Sequence, residues 1–468
     1  MTSRQNQGGG NPSGSKKWVY FIIGGCVGAL LLGILVPKRT AVRTESESGR
    51  LALADDRSRG SSEHGATQKA PLAPEQIVAN KVDQFARDRL RIARAMAKRS
   101  KLELPPEVER FFNAVASGRW DELNDLYRTL MSLRDGPDGE KLKSVWGPIL
   151  ETLLIAECAH SWPAQKLLDY GQATIGALPP GMVYIGGTDP GRGIPTLLNE
   201  TSQGNQHIVI TQNGLADATY LDYVRFLYGD QITIPSEEQI KQAFKDYVTD
   251  AQKRFEHDRQ FPDEPKQVRP GEDVQYADDS NADGLPATNR AVKVSGNIAV
   301  MGINERILQS IMDKNPGMSF ALEESFPLLS TYSSAVPLGP IMELRAPDAQ
   351  TSFTAESASK ALDYWRTTAQ ELASDPEAPE GSDVRKTYSH MASSQANLLA
   401  DHNYHNQAEQ TYRLAMAMEP SNPEAVYSLA GLLDRTGREE EARELLDRFA
   451  REHPSKGDGI KPVIVVGH

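Results

Sequence analysis

Residues 183–195, VYIGGTDPGRGIP, combine glycine spacing with charged side chains in a pattern that could bind an anion. Gly186 and Gly191 have the separation found in nucleotide-binding P-loops, and three apolar residues precede the first of them. A working P-loop also needs a lysine that reaches the phosphates and a hydroxyl that binds magnesium, whereas Arg192 and Gly193 occupy those positions here. We therefore expect no triphosphate hydrolysis at this turn, no catalytic residue and no cofactor.

The same turn could present polar groups to a small ligand, because α/β sheets bind ligands outside the carboxyl ends of their parallel strands. The segment reads as a strand, a glycine-rich turn and a helix, and the later segment TQNGLADATY would bring a second turn to the same edge. The candidate ligand-binding residues are Asp189, Arg192, Gly187, Gly191, Asn213 and Asp217. Two interpretations stay open: a site for a small polar or sugar-like ligand, or a structural ion pair between Asp189 and Arg192.

Other reactive side chains give weaker signals. The chain has two cysteines, Cys26 and Cys158, which excludes a CxxC zinc site and a disulfide scaffold. His402 and His405 lie three residues apart, but two histidines without further ligands are usually solvated loop residues. The sequence contains neither HExxH nor GxSxG. We predict no metal site, and the sequence favours a protein that is not an enzyme without deciding the question.

The composition indicates a folded, acidic protein. Of its 468 residues, 39% are hydrophobic and 24% are charged, which is ordinary for globular chains and leaves room for two or three domains. The formal net charge is −12, from 63 acidic and 51 basic residues. A nucleic-acid-binding protein needs basic surface to displace counterions from phosphates, so the charge disfavours this class.

An apolar segment near the N-terminus has the length of a membrane span. Residues 18–36 are 19 uncharged, mostly apolar residues, and a helix of that length just crosses a hydrocarbon core about 30 Å thick. We predict a single N-terminal transmembrane helix in the lipid bilayer, in which Gly24 and Gly28 form a GxxxG pair that could dimerise two chains. Basic residues flank both ends in similar number, so charge alone does not fix the orientation.

The C-terminal part contains an internal repeat with a period of 34 residues. Alanine recurs at Ala408 and Ala442, and proline recurs at Pro420 and Pro454. The residues expected to pack the repeated helices are Ala408, Tyr412, Ala415, Pro420, Ala442, Leu446, Phe449 and Pro454. This pattern resembles the tetratricopeptide-repeat family over residues 384–456. The resemblance implies a helical array that docks a peptide or another protein, although two repeats could also serve only to cap the neighbouring domain.

The remaining sequence divides into segments of different composition. Strand-like and helical runs alternate between residues 176 and 348, which favours an α/β central domain with a largely parallel sheet, flanked by helical regions. The expected organisation is a disordered tail (1–17), the transmembrane helix (18–36), a flexible linker (37–74), a helical region (75–175), the α/β domain (176–348) with a disordered insertion at about 256–290, tetratricopeptide-like repeats (349–458) and a tail (459–468).

Residues 176–345 carry a second resemblance, through the TDPGR turn and the segment LYGDQI. They look like the soluble C-terminal region of a bacterial multi-pass family of unknown function, itself related to protein O-mannosyltransferase-like membrane glycosyltransferases. With one span in place of many, the resemblance implies an extracytoplasmic (periplasmic) module without the transferase site. The expected function is therefore a membrane-anchored interaction scaffold of a bacterial envelope, in a glycan-related assembly. The alternative is a ligand-binding subunit or enzyme that acts on a sugar or sugar-lipid at residues 186–195.

Overall fold

The computed structural model describes residues 71–136, 139–204, 206–269, 271–276, 292–324, 334–344 and 353–454. The chain divides into two units between Ala73 and Pro74, and the fold described below belongs to the second unit. The predicted span at 18–36, the Gly24/Gly28 pair and both predicted tails lie outside the described residues. Within the described ranges, no helix is both long enough and apolar enough to cross a membrane.

Helices form the first part of the second unit. They are α1 (Pro74–Arg99), α2 (Pro106–Ala116), α3 (Trp120–Asp135), the single turn α4 (Glu140–Lys143), α5 (Trp146–Ser161) and α6 (Ala164–Ala173), followed by a 3-10 turn (Ile175–Ala177). Pro106 opens α2 at a position where a backbone N–H would have no helical partner. Gly118 has a φ of +63°, which lets the chain turn from α2 into α3. Buried aromatic side chains, among them Phe111 and Phe112, fill the space between these helices.

The strands of the described residues form one five-stranded sheet and one two-stranded ribbon. The strands are β1 (Val183–Gly186), β2 (Ile208–Thr211), β3 (Asp273–Tyr276), β4 (Val292–Ser295), β5 (Phe320–Leu322), β6 (Ala335–Leu338) and β7 (Ile341–Leu344). The sheet order is β2-β1-β5-β7-β6, and β3 pairs with β4 in the ribbon. β1 runs parallel to both β2 and β5, whereas β7 runs antiparallel to both β5 and β6.

The expectation of a largely parallel sheet therefore needs correction, because the sheet is mixed. Only Gly339 and Pro340 separate β6 from β7, and a parallel pair needs a much longer crossover connection. Gly339 has a φ of +57°, which suits a tight hairpin turn. The hairpin adds an antiparallel half to the parallel half around β1.

Four further helices surround the sheet and the ribbon: α7 (Asp189–Glu200), α8 (Ala218–Tyr228), α9 (Glu237–Gln260) and α10 (Asn297–Lys314). The first part of the insertion expected to be disordered at 256–290 is ordered in the described residues. The last turn of α9 and the whole of β3 lie in this segment. Tyr247 and Arg254 of α9 hold it in place, since they bond to the buried carboxylate of Glu272 at 2.8 and 2.6 Å. Residues 277–291 lie outside the described ranges.

A buried ion network connects α1, α5, α7 and α8. Arg89 of α1 is only 1% exposed, and its Nε donates to Oε2 of Glu151 at 2.7 Å while its Nη2 pairs with Glu200. The hydroxyl of Tyr223 donates to Glu151, and that of Tyr228 donates to Glu200. The network satisfies a cation that would otherwise be costly to bury, and it ties the helical region to the sheet layer.

Five more helices follow in the part of the chain that the structure describes: α11 (Ala355–Ser374), α12 (Asp383–Asp401), α13 (His405–Met418), α14 (Pro423–Arg435) and α15 (Glu439–Glu452). α12 packs with α13, and α14 packs with α15, as two successive helical pairs. Of the residues expected to pack the repeats, Ala408, Tyr412, Ala415, Ala442 and Phe449 are buried, Leu446 is half-buried, and Pro420 and Pro454 are exposed beyond the ends of α13 and α15. Apolar side chains of this array share one continuous core with the sheet.

Candidate functional site

The glycine-rich turn after β1 surrounds an internal carboxylate. Glu323 directly follows β5, which lies beside β1, and its side chain is fully buried. Its Oε2 atom accepts hydrogen bonds from the backbone N–H groups of Gly187 (2.8 Å) and Thr188 (2.9 Å). Its Oε1 atom accepts from the hydroxyls of Thr188 (2.5 Å) and Tyr170 (3.0 Å). Four donated hydrogen bonds therefore converge on this carboxylate at the N-terminus of α7.

The glycines of the turn make room for the glutamates that follow β5. A Cβ atom on Gly191 would lie 1.7 Å from the carboxyl carbon of Glu323, and one on Gly187 would lie 2.2 Å from Cγ of Glu324. Helix N-termini attract anions because their N–H groups lack helical partners and the helix dipole is positive there. A P-loop offers such a position to phosphate, whereas here a side chain of the same chain occupies it. The glycine spacing thus has a structural cause that requires no nucleotide.

Sequence reasoning missed Glu323 because it is 135 residues away from Thr188 along the chain. The available signal was the pair of glutamates that ends the apolar run SFALEES. A carboxylate at the end of a buried strand needs hydrogen-bond donors, and the neighbouring glycine-rich turn supplies them.

Three of the six predicted ligand-binding residues take part in the turn itself. Gly187 and Gly191 contact the glutamates, and Nδ2 of Asn213 donates to the carbonyl oxygen of Gly187. Asp217 instead caps α8, since its Oδ1 accepts from the backbone N–H of Thr219 at 2.8 Å. The second turn therefore supports the first one through its asparagine rather than through its aspartate.

The two charged candidates, Asp189 and Arg192, lie in the first turn of α7. Asp189 is exposed and Arg192 is half-buried. No ion pair joins them within the part of the chain that the structure describes, and Nε of Arg192 is buried there without a hydrogen-bond partner. The structural ion pair offered as one alternative is therefore not formed, and the ligand alternative stays a prediction.

Burial and charge perturb two side chains of α5 that face this turn. Burial raises the pKa of Glu157 to about 7, and the negative charge of Asp189 adds to the effect. Burial also raises the pKa of the Cys158 thiol, so that it stays protonated at neutral pH. Cys158 packs as a small apolar residue against Gly193, whose Cβ would lie 3.0 Å from its sulfur. The thiol has none of the thiolate character that nucleophilic cysteines need.

In the array, residues one repeat apart face each other across α12 and α14. Nδ1 of His390 lies 2.9 Å from Oε2 of Glu424, which is 34 residues later. Nδ2 of Asn422 donates to the hydroxyl of Ser389 at 2.8 Å. Burial raises the pKa of Asp401, and the positive charge of Arg435, again 34 residues later, partly opposes this shift. α12 and α14 are thus the equivalent first helices of two successive repeats.

The first helix of the first repeat is covered by the protein's own hairpin. Gln395 of α12 is fully buried, and its Nε2 donates to the carbonyl oxygens of Gly339 (2.6 Å) and Ile341 (2.8 Å). Its Oε1 accepts from the indole N–H of Trp365 in α11 at 2.9 Å. The side-chain amide of Gln395 thus binds the backbone of the β6–β7 turn, and α12 supports the sheet.

The histidines between α12 and α13 show no metal-site geometry. His402 packs edge-on against Phe353, with ring centroids 4.9 Å apart. Among the residues that the structure describes, no group of three or more histidine, cysteine or acidic side chains is placed to hold a metal ion.

Comparison with known proteins is informative for the C-terminal part. A family model described as tetratricopeptide repeat matches residues 399–457, which span α13 to α15. The C-terminal helices are a tetratricopeptide-like array. No curated protein and no solved structure matches the chain. The resemblance of residues 176–345 to a glycosyltransferase-related family finds no support in these comparisons and stays a prediction.

Proposed function

We propose that the protein is a membrane-anchored interaction scaffold whose repeat array binds a protein partner. The observation that carries the proposal is the tetratricopeptide match at residues 399–457, which covers α13, α14 and α15. Helical repeats of this kind stack into extended surfaces that commonly mediate protein interactions. The alternative is that the repeats only cap the neighbouring domain, whose core they share.

The surface that we assign to the partner is the A-helix strip, defined as Glu424, Tyr427, Gly431 and Arg435 on α14. These residues recur every three or four positions along one side of the helix, and each of them is half-buried or exposed. The strip is not the side of the repeat that holds the β6–β7 turn, because Gln395 corresponds to the buried Leu429 one repeat later. The positions of α12 that correspond to the strip are His390, Ser393, Asn397 and Asp401, and His390 lies 2.9 Å from Glu424 of the strip. The strip would offer its half-buried and exposed side chains to a segment of another protein.

Gly431 offers a sharp test of this assignment. A Cβ atom at this position would meet only Nη1 of Arg435, at 3.6 Å, which is ordinary contact distance. Gly431→Gln therefore adds bulk to the strip without entering the core, and Gly431→Ala is its matched control. Affinity capture of the full chain from membranes should lose its specific partners with the glutamine variant and keep them with the alanine variant.

A second control lies on the other side of the array. Glu444 of α15 is exposed and lies off the strip, so Glu444→Gln should capture the same partners as the unchanged protein. If Gly431→Gln retains every partner, the strip is not the docking surface. If deletion of α14 and α15 together also retains them, the array has no role in recruitment.

The membrane anchor is the second part of the proposal, and the 19-residue apolar run at 18–36 supports it. The chain should resist carbonate extraction from membranes, and a variant lacking residues 1–36 should be extracted. Protease treatment of intact cells and of spheroplasts would locate the folded part, for which we propose the periplasmic side and an envelope assembly involving glycans. If the folded part stays protected from protease in spheroplasts as well as in intact cells, it lies in the cytoplasm, and that setting is excluded. Loss of self-association in a Gly24→Leu, Gly28→Leu variant would support a dimer through the span.

A further inference from the structure

A cavity of about 530 Å³ lies at the amino ends of β1 and β2, at the opposite end of these strands from the glycine-rich turn. It opens between α1, α6, the 3-10 turn and the C-terminal end of α7. Residues that line it include Lys81, Leu168, Gln172, Ile175, Leu198 and His207. Cavities of this size accommodate small organic molecules.

Lys81 places a positive charge on the cavity wall. Its Nζ donates to the carbonyl oxygen of Thr201 (3.2 Å) and to the hydroxyl of the same residue (3.0 Å). An ammonium has three N–H donors, so one donor is left for another acceptor. Burial lowers the pKa of Lys81, and no carboxylate pairs with it within the described ranges. The charge therefore lacks the anion that would compensate its partial burial.

His207 adds a second polar group to the wall. Its Nδ1 lies 3.2 Å from the carbonyl oxygen of Met182, and since a carbonyl only accepts, Nδ1 carries the proton. The side chain of Asn199 bonds to both the backbone N–H (2.7 Å) and the backbone C=O (2.9 Å) of His207. These bonds fix the position of the histidine, and with the proton on Nδ1 its Nε2 can only accept a hydrogen bond.

The rest of the wall combines apolar and polar side chains and contains one acidic residue. Leu168, Ile175 and Leu198 supply apolar surface, and the close approach of α6 to α7 at Gly171 brings Leu198 to the wall. Asp169, which also lines the cavity, is bonded by Gln165 at 2.7 Å and lies 3.7 Å from Nζ of Lys166. An anionic head group with a short apolar body matches this distribution.

We propose that this cavity binds a small organic carboxylate, whose carboxylate group meets Lys81 and whose apolar chain lies along Leu168, Ile175 and Leu198. The carboxylate would accept the third N–H of Lys81 in a charge-assisted hydrogen bond, the stronger kind of hydrogen bond in proteins. This site is independent of the A-helix strip, so either proposal can fail without the other.

Butanoate and butan-1-amine are suitable probes, because they have the same length and opposite charge. Saturation-transfer NMR with the full chain should show butanoate binding and at least about tenfold weaker binding of the amine. Lys81→Met should weaken butanoate binding by at least about tenfold, whereas Lys98→Met, on the same helix but exposed, should leave it unchanged.

A second variant keeps the test decisive if Lys81→Met does not fold. Ser202 is exposed at the rim of the cavity, and Ser202→Trp should block entry while circular dichroism stays unchanged. Butanoate should also slow acetylation of Lys81, measured by mass spectrometry, and should not slow that of Lys98. Equal binding of both probes, or butanoate binding that survives Ser202→Trp, would overturn the proposal.

Discussion

Replacing Glu323 with alanine tests whether the internal carboxylate holds the glycine-rich turn. The change leaves two backbone N–H groups and two hydroxyls in a buried site without their acceptor. Hydrogen bonds to a charged group contribute about 1.5–3 kcal/mol each but do not add fully, and breaking buried charged networks costs about 3–5 kcal/mol. We therefore expect Glu323→Ala to lower the free energy of unfolding by about 3–5 kcal/mol.

Urea denaturation of the full chain measures this loss, because urea is uncharged and leaves ionic interactions unscreened. Formate should partly restore stability in Glu323→Ala, by about 2 kcal/mol at twenty times its Kd, since it fits the vacated anion position. Chloride at equal ionic strength is the control. Glu324→Ala is the matched variant: burial and the charges of Glu323 and Glu424 raise the pKa of Glu324, so its removal should cost little. A loss below about 1 kcal/mol for Glu323→Ala, or equal rescue of the unchanged protein by formate, would refute this reasoning.

Three further predictions concern stability alone. Arg89→Met should lower the free energy of unfolding by about 3–5 kcal/mol in urea, because it removes a buried cation and leaves two half-buried glutamates without their partner, and an unchanged midpoint would contradict this. The folded-state pKa of Glu157 is raised to about 7, so its contribution is fully present below pH 4.5 and is lost as the pH rises through 7. Glu157→Gln should remove that loss and become the more stable protein by about 1–2 kcal/mol at pH 8, with no advantage at pH 4.5. Gly431→Ala should raise the free energy of unfolding by about 0.5–1 kcal/mol, because glycine inside a helix costs backbone entropy. A higher melting temperature would show this gain.

The repeat array could be predicted from the sequence because its signals are local. Ala408 and Ala442 recur at a fixed period, and the period alone identifies paired helices of similar length. The strands at β1, β2 and β5 could also be predicted, since each is a short apolar run bounded by turn residues.

The antiparallel half of the sheet and the partner of the glycine-rich turn could not be predicted. β6 contains Pro337, which weakens the strand signal, and pairing between strands is set by tertiary contacts that no local pattern encodes. Glu323 reaches its donors only because β5 lies beside β1, and that neighbourhood follows from the topology. The glycine spacing of the turn is shared by phosphate loops and by this internal arrangement, so the spacing cannot distinguish them.

Because α12 packs against the β6–β7 turn, the two ends of the repeat array have different surroundings. One end contacts the sheet through Gln395, while the last helix in the described residues, α15, has mostly polar outer residues. Insertion of an extra repeat after Glu452 should therefore be tolerated, whereas insertion of one before Asp383 should disrupt the fold. A shortened chain that lacks α12 would uncover the core of the sheet, so an apparent loss of binding in such a truncation would report collapse of the whole unit.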